Sequence, residues 1–598
     1  MMVLQDILFP DLETCPSFEM YFRTDKGHKH AYVDPGADCV RVPQWCTLST
    51  DTYFNGFSIG KWMKYTSLGN LRLRLKLSGE FRVELIHWQL LKDECTRTIV
   101  AEQVCSGGKG SAFEIAFPED LSPRGIYACA LYALSEDCAF HGGQYVTEVD
   151  EDELNPVDIA LDICTYKREI YLEKNLDKLR RGLIENPESP LFSHLEVFIS
   201  DNGQTLDISR LSTHGIHIFP NKNVGGSGGF ARGMIEIIEA HKSFSHVLMM
   251  DDDVLINSDA ILRTYRFLRL LKPEYADWTI AGGLIRLDER HVQYESGAVA
   301  NNYVLRPCKH NLNLNSVSSV LNNEKEETIH YSGWWYSCIP IQWINNDSLP
   351  LPMFVHFDDV EFGLRTGSEI ITLNGICLWH ESFDNRYIAS MAYYEARNIL
   401  VFYALRKPQL SAWRVALDSF RHVFSDVIRY RYNNCELVIK GIDDFMKGPD
   451  WLIMADPESL HAQVQAMRDQ LLPVEQLDIP FQEGVYVKTL QRKDSLLNNL
   501  RIVLLNGLFL PAKGINIVNI GNSWPHNFYR RSAVLNYDEM NHTGFVTRRS
   551  IKKSLSALGR ITLRTWRLIR RYGALREIWR QAEPILTSRS FWNEYLGL

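Results

Sequence analysis

The sequence predicts an α/β protein: a doubly wound, mostly parallel sheet at the centre, an antiparallel β-sandwich before it and a helical region after it. Three observations carry this reading. Residues 1–150 contain short runs of alternating apolar and polar residues. Over 151–390 strand-like and helix-like periods alternate, the pattern of a parallel sheet with ligands at the strands' C-terminal ends. From 391 onward helical periods dominate. A chain of 598 residues is also too long for one hydrophobic core.

In the first unit, "LRLRLKLSGEFRVELIHW" and "GIYACALYAL" read as sandwich strands punctuated by Gly, Pro, Ser and Asp. The acidic, proline-ended stretch Thr147 to Pro156 reads as a linker. Beyond it, "VDIALDICTY" predicts a strand and "EIYLEKNLDKLRRGLI" a helix. "LEVFIS" and "IHIFP" predict two more strands, "FARGMIEIIEAH" a helix and "HVLMM" a fourth strand. Helical patterns such as "YYEARNILVFYALRK" and "SLHAQVQAMRDQLL" occupy 391–545, and residues 546–598 form a basic amphipathic segment.

Composition narrows the function. Apolar content of 45% and charged content of 23% suit an ordinary soluble domain set. A net charge of −9 argues against nucleic acid as the partner. Twelve cysteines without a CxxC pair argue against a zinc ribbon and a disulfide scaffold. The N-terminus lacks the pattern of a signal peptide, and no run of eighteen apolar residues occurs. The expectation is a cytoplasmic protein that meets a membrane only from its inner face. Oligomeric state stays open, a homo-oligomer included.

The chemistry concentrates in a few stretches. In "HVLMMDDDVLI", strand alternation sends Asp251 and Asp253 one way and Asp252 the other. Two carboxylates on one side of a sheet edge repel unless a cation lies between them, and Mn²⁺ or Mg²⁺ with substrate phosphates fits. A solvated acidic turn is the plain alternative; the continuous apolar run ahead of it favours the metal. "NKNVGGSGGFARG" places glycines before a helix N-terminus, which favours anions. Its Gly226–Ala231 stretch formally matches a dinucleotide fingerprint, but after the third strand rather than the first. Asp201, in "SDNGQT", has the chemistry to accept from a base N–H, and Arg168, in "CTYKRE", to meet a phosphate; each is also an ordinary turn residue. Trp334 and Trp335 suit the apolar face of a sugar, or equally a core pair. Asp358 and Asp359 open a short helix, where one would serve as a cap and two in succession point to a general base. His380 follows an apolar strand, as a structural histidine or a third metal ligand.

In order, these motifs are T-Y-K-R, S-D-N-G, N-x-N-x-G-G-x-G-G, D-D-D, W-W, D-D-V-E-F-G-L-R and W-H. Together they resemble the inverting glycosyltransferases of family 2, and more narrowly the bacterial galactofuranosyltransferases. The resemblance is firm over about residues 157–400 and architectural outside them. It implies a GT-A fold with an N-terminal β-sandwich and a C-terminal helical region, and a UDP-galactofuranose donor. It implies a lipid-linked glycan acceptor in cell-surface polysaccharide synthesis. It implies that Asp251, Asp253 and His380 hold Mn²⁺ or Mg²⁺, and that Arg168, Asp201, Asn223, Asp252 and Glu295 form the donor site. Trp334, Trp335 and Asp358 would bind the acceptor, and Asp359 would be the catalytic base. The resemblance departs at Phe357, where the family's galactan polymerases carry tryptophan.

From Arg548 to Arg580 the chain carries eleven arginines and lysines against Glu577, with Leu563, Trp566, Ile569, Tyr572 and Trp579 between them. Such a helix suits an anionic membrane surface, or packs on its own protein. Two other readings stay open: a family-2 transferase with another nucleotide sugar, such as a rhamnosyltransferase, and a non-catalytic carbohydrate-binding protein. A Rossmann dehydrogenase is weaker.

Overall fold

The computed structural model describes residues 1–26, 29–34, 36–301, 304–381, 391–487, 496–521 and 524–598. The N-terminal strands form one nine-stranded sheet. Its spine is β1 (Leu71–Leu91), which pairs with β2 (Glu94–Ala116) along its length. The first half of β1 pairs with β4 (Ala139–Thr147) and the second half with β3 (Ile126–Ala133). The change of partner comes at Gly79, whose φ of 89° an L side chain rarely adopts. Where the sequence suggests two separate sheets, the structure has one sheet curled through a long strand that switches partners. Leu73, Leu75, Leu77, Phe81, Val83 and Leu85 point to one buried side. That core is continuous with the next unit. Arg263, fully buried, donates across the junction to Phe54 O at 3.0 Å and is held by Asp259 of its own helix at 2.9 Å.

Four parallel strands follow: β5 (Ile159–Thr165), β6 (Leu195–Asp201), β7 (Ile216–Pro220) and β8 (His246–Asp251). Their spatial order is β7-β6-β5-β8. The order reverses between β5 and β8, so a crevice opens at their C-terminal ends. Helices α1 (Glu169–Leu179), α2 (Gly225–Glu239) and α3 (Ser258–Arg269) interleave with the strands. The sheet continues through β9 (Thr279–Arg286), β10 (Val292–Glu295) and β11 (Tyr336–Pro340), with β11 antiparallel to β8. After α4 (Asp358–Thr366), strand β12 (Ile370–His380) runs parallel to β9 and sets His380 opposite Arg286.

The glycines of "GGSGGFARG" lie inside α2 rather than in a loop before it. A Cβ at Gly229 would overlap the Cys164 thiol, and one at Gly233 the Asp162 carboxyl. The dinucleotide-fingerprint reading is thereby corrected: these glycines let α2 approach β5 closely. Asp162 is wholly buried, and neither of its oxygens has a hydrogen-bond partner. Burial pushes its pKa well above the carboxylate range and favours the neutral acid.

Helices α5 (Met391–Arg406), α6 (Ala412–Val427) and α7 (Tyr432–Phe445) pack together with α8 (Ile551–Leu586). Between α7 and α8 lies a five-stranded sheet that includes β13 (Ile515–Asn519), β14 (Ala533–Asp538) and β15 (Thr543–Arg548). The helical reading of 391–545 did not anticipate it, because its strands are short and set among loops. On α8, Ala557, Ile561, Leu568, Tyr572, Leu575 and Trp579 form an inward stripe, while Leu563 and Trp566 face out. Among the described residues, no helix is long and apolar enough to cross a membrane.

Candidate active site

At the mouth of the crevice, Asp251 ends β8 directly beside Cys164 of β5. Asp251, Asp253 and His380 offer three ligand atoms within 4.8 Å of one another. His380 Nδ1 lies 2.7 Å from the Glu381 carbonyl. A carbonyl only accepts, so that nitrogen carries the proton and donates. The other ring nitrogen, Nε2, is turned to Asp253, 3.2 Å from its carboxylate. An imidazole lone pair facing a carboxylate oxygen is repulsive unless a proton or a metal ion lies between them. The donor set, two hard carboxylates and one oriented imidazole, fits Mn²⁺ or Mg²⁺. Desolvation raises the Asp251 pKa, and Asp253 and Asp252 push it the same way; His380 opposes them. A cation among these groups would offset the charge that they gather.

Asp252 points elsewhere, as strand alternation predicts. It accepts from Thr165 Oγ1 at 2.6 Å, and burial pushes its pKa up to about 6. Arg168 reaches across to Asp253 at 2.8 Å and remains partly exposed at the cleft edge. Asn223 accepts from the Gly225 N–H at 3.2 Å at the start of α2. Asp201 accepts from the N–H groups of Gly203 (3.0 Å) and Leu206 (2.9 Å) and is 1% exposed. Its carboxylate organises its own loop at the end of β6.

Asp358 and Asp359, the first residues of α4, face different ways. Asp358 approaches Gly226 of α2 and adds its charge to that around Asp251. Asp359 lines a cavity of about 550 Å³ together with Glu295, Tyr331, Trp335 and His356. Desolvation, then the neighbouring Asp358, holds the Asp359 carboxyl well above the usual carboxylate range. Burial, with Asp359 beside it, pushes Glu295 up to about 8. Glu295 is therefore protonated at neutral pH and presents a hydroxyl donor.

The tryptophan pair splits. Trp335 lines the cavity, whereas Trp334 packs edge-on between Phe230 and Phe362, with ring centroids 5.1 and 5.7 Å away. Trp334 is packed among core aromatic rings, and Trp335, its neighbour in the same turn before β11, reaches the cavity. The far wall of the cavity comes from α5, α6 and α7: Glu395, His422, Asp426 and Asn434. No motif marked these residues, because they come from three helices and converge only in the fold.

The first part of the chain, residues 4–118, matches the family model "Galactofuranosyltransferase 2 N-terminal". Galactofuranosyltransferase GlfT2 of Mycolicibacterium smegmatis is 25% identical over 621 aligned residues, covering 96% of this chain and 92% of that protein. Galactofuranosyltransferase GlfT2 of Mycobacterium tuberculosis is 26% identical over 467 residues, covering 73% and 70%. Among solved structures, the crystal structure of a mycobacterial protein aligns with 44% of this chain and 80% of its own, at 11% identity and a TM-score of 0.28. On the sequence likeness, which spans nearly its whole length, this chain is a glycosyltransferase of galactofuranosyltransferase-like sequence.

Proposed function

We propose that the protein is an inverting, divalent-metal-dependent transferase of GT-A type that moves galactofuranose from UDP-galactofuranose to a lipid-linked glycan acceptor. The observation that carries this reading is the division of labour among carboxylates. Asp251 and Asp253 gather with His380 at the crevice, while Asp359 lies apart from them on a sugar-sized cavity. A single in-line displacement requires this separation, with the leaving group on one side and the base on the other.

Asp251, Asp253 and His380 would hold Mn²⁺ or Mg²⁺, which when bound neutralises the diphosphate leaving group. Arg168 and Asn223, at the same mouth, are disposed to meet the phosphates and the nucleoside. Asp252 tethers the end of β5 through Thr165. Asp359, once deprotonated, takes the proton of the acceptor hydroxyl as that oxygen attacks the anomeric carbon. Glu295 donates a hydrogen bond to a sugar hydroxyl, and Trp335 and Tyr331 offer apolar faces to the ring. A lipid-tailed acceptor suits the outer side of α8, where Arg570 lies 4.1 Å over the exposed Trp566 ring.

The test is incubation with UDP-galactofuranose, Mn²⁺ and a short lipid-tailed galactofuranose acceptor, followed by mass spectrometry. Successive hexose additions are expected. Release of free galactose without chain growth, or growth only from a different nucleotide sugar, would refute the assignment of acceptor or donor respectively.

A further inference from the structure

The segment that delivers the two α4 carboxylates follows an unusual path. Phe354, His356 and Phe357 have φ of 72°, 69° and 71°. Bulky L residues rarely adopt this left-handed region, and a chain holds several of them there only when its surroundings fix the path. Phe357 is the residue immediately before α4, and Asp358 and Asp359 are its first two members. A rotation at 356–357 would therefore swing the Asp359 carboxyl out of the cavity.

One side chain grips this path. Asn398, on α5 and 1% exposed, has its Nδ2 3.1 Å from the Met353 carbonyl, 2.9 Å from that of Val355 and 2.8 Å from that of His356. Its orientation is set by Arg397, whose Nε donates to Asn398 Oδ1 at 2.9 Å. Arg397 also donates to the Met353 carbonyl at 2.6 Å. On the opposite side, the Phe354 N–H donates to Ser227 Oγ at 2.8 Å. Gly225 has no room for a Cβ against the Phe354 carbonyl. The segment is thus held between α5 and the first turn of α2.

We propose that Asn398 is a positioning residue for the transfer reaction: by sharing its two amide hydrogens among three carbonyls of the 353–356 segment, it locks the left-handed path that aims Asp359 into the cavity. This rests on the reading of Asp359 as the base. No group in ordinary supply replaces the grip, because the three carbonyls converge on one amide and a buried carbonyl left without a donor is unfavourable.

The test compares Asn398→Ala, Asn398→Ser and the near-isosteric Asn398→Asp, which swaps the donor for an acceptor facing three carbonyls. Leu131→Ala, a buried position on β3 of the N-terminal sheet, is a control destabilised away from the site. Three quantities are read: kcat and donor KM per folded molecule, melting temperature, and amide exchange. For Asn398→Ala, kcat is expected to fall at least tenfold with donor KM within twofold. Asn398→Ser should lie between it and the wild type, and Asn398→Asp below both. Exchange at residues 354–360 should accelerate while that of β8 stays slow. Leu131→Ala should lose melting temperature and keep kcat. A kcat that survives in Asn398→Ala, with or without faster exchange, overturns the proposal, as does unchanged exchange at 354–360. Should the wild type transfer no sugar at all, the functional reading fails, while the exchange measurement still decides whether Asn398 holds the segment.

Discussion

Asp359 and Asp253 each adjoin another carboxylate, yet the proposed reaction gives them opposite tasks, and their surroundings differ accordingly. As the proposed base Asp359 must be deprotonated, and desolvation holds its carboxyl above the usual range. Transfer should therefore rise with pH through the region above ordinary carboxylate values and be lost as pH falls through the raised pKa. A plot of kcat against pH at saturating donor checks this. Asp359→Asn should lower kcat roughly 10²- to 10⁴-fold, the range of a general base, and leave UDP affinity within about twofold. Loss of UDP binding in that variant would make Asp359 a donor-site residue. Asp253→Asn should act the other way, weakening Mn²⁺ binding by on the order of 10- to 100-fold or more, as read by calorimetry with UDP present.

At the scale of elements, the contact between α2 and β5 is set by what is missing from Gly229 and Gly233. Gly233→Ala would drive a methyl into the Asp162 carboxyl and should destabilise by about 1–3 kcal/mol, as overpacking does. The double variant Gly233→Ala/Asp162→Ala should recover most of the loss, as urea unfolding would measure. Asp162 itself carries a pH signature. Its folded pKa is raised, so the folded state binds the proton more tightly than the unfolded chain does. The penalty of burying it is absent below the ordinary carboxylate pKa of about 4 and grows as pH rises above it. Asp162→Asn should therefore stabilise at pH 7 and lose that advantage below about pH 3. Equal effects at both pH values would mean that the carboxyl has a partner or access to water.

The molecule as a whole joins these parts through α8. Arg406 pairs with buried Glu361 of α4 and with Glu583 of α8, so the helix bearing Asp359 is tied to the C-terminal helix. Arg560 and Arg564 of α8 pair with Glu436 and Asp443 of α7. The inward stripe of α8 makes its removal an unfolding experiment. Charge reversal on the outer face is the cleaner probe of membrane contact. Arg567→Glu/Arg570→Glu/Arg571→Glu should abolish sedimentation with vesicles rich in anionic lipid while leaving UDP binding unchanged. Full retention on such vesicles would place the lipid contact elsewhere.

The sequence by itself determined the parallel-strand core, the cluster of acids at the fourth strand, the carboxylate pair at α4 and the histidine that ends β12. Each follows from local periodicity and residue chemistry, which a linear chain displays. Tertiary structure alone decided the rest. Trp334 and Trp335 are indistinguishable in sequence, and only the packing of Phe230 and Phe362 sends one inward. The glycines before Phe230 read as a loop until their lack of a Cβ meets Cys164 and Asp162. The far cavity wall and the Asn398 grip join residues more than forty positions apart. Whether such groups meet is fixed by how helices dock on the sheet, and that depends on side-chain volumes summed over the whole core rather than on any local pattern.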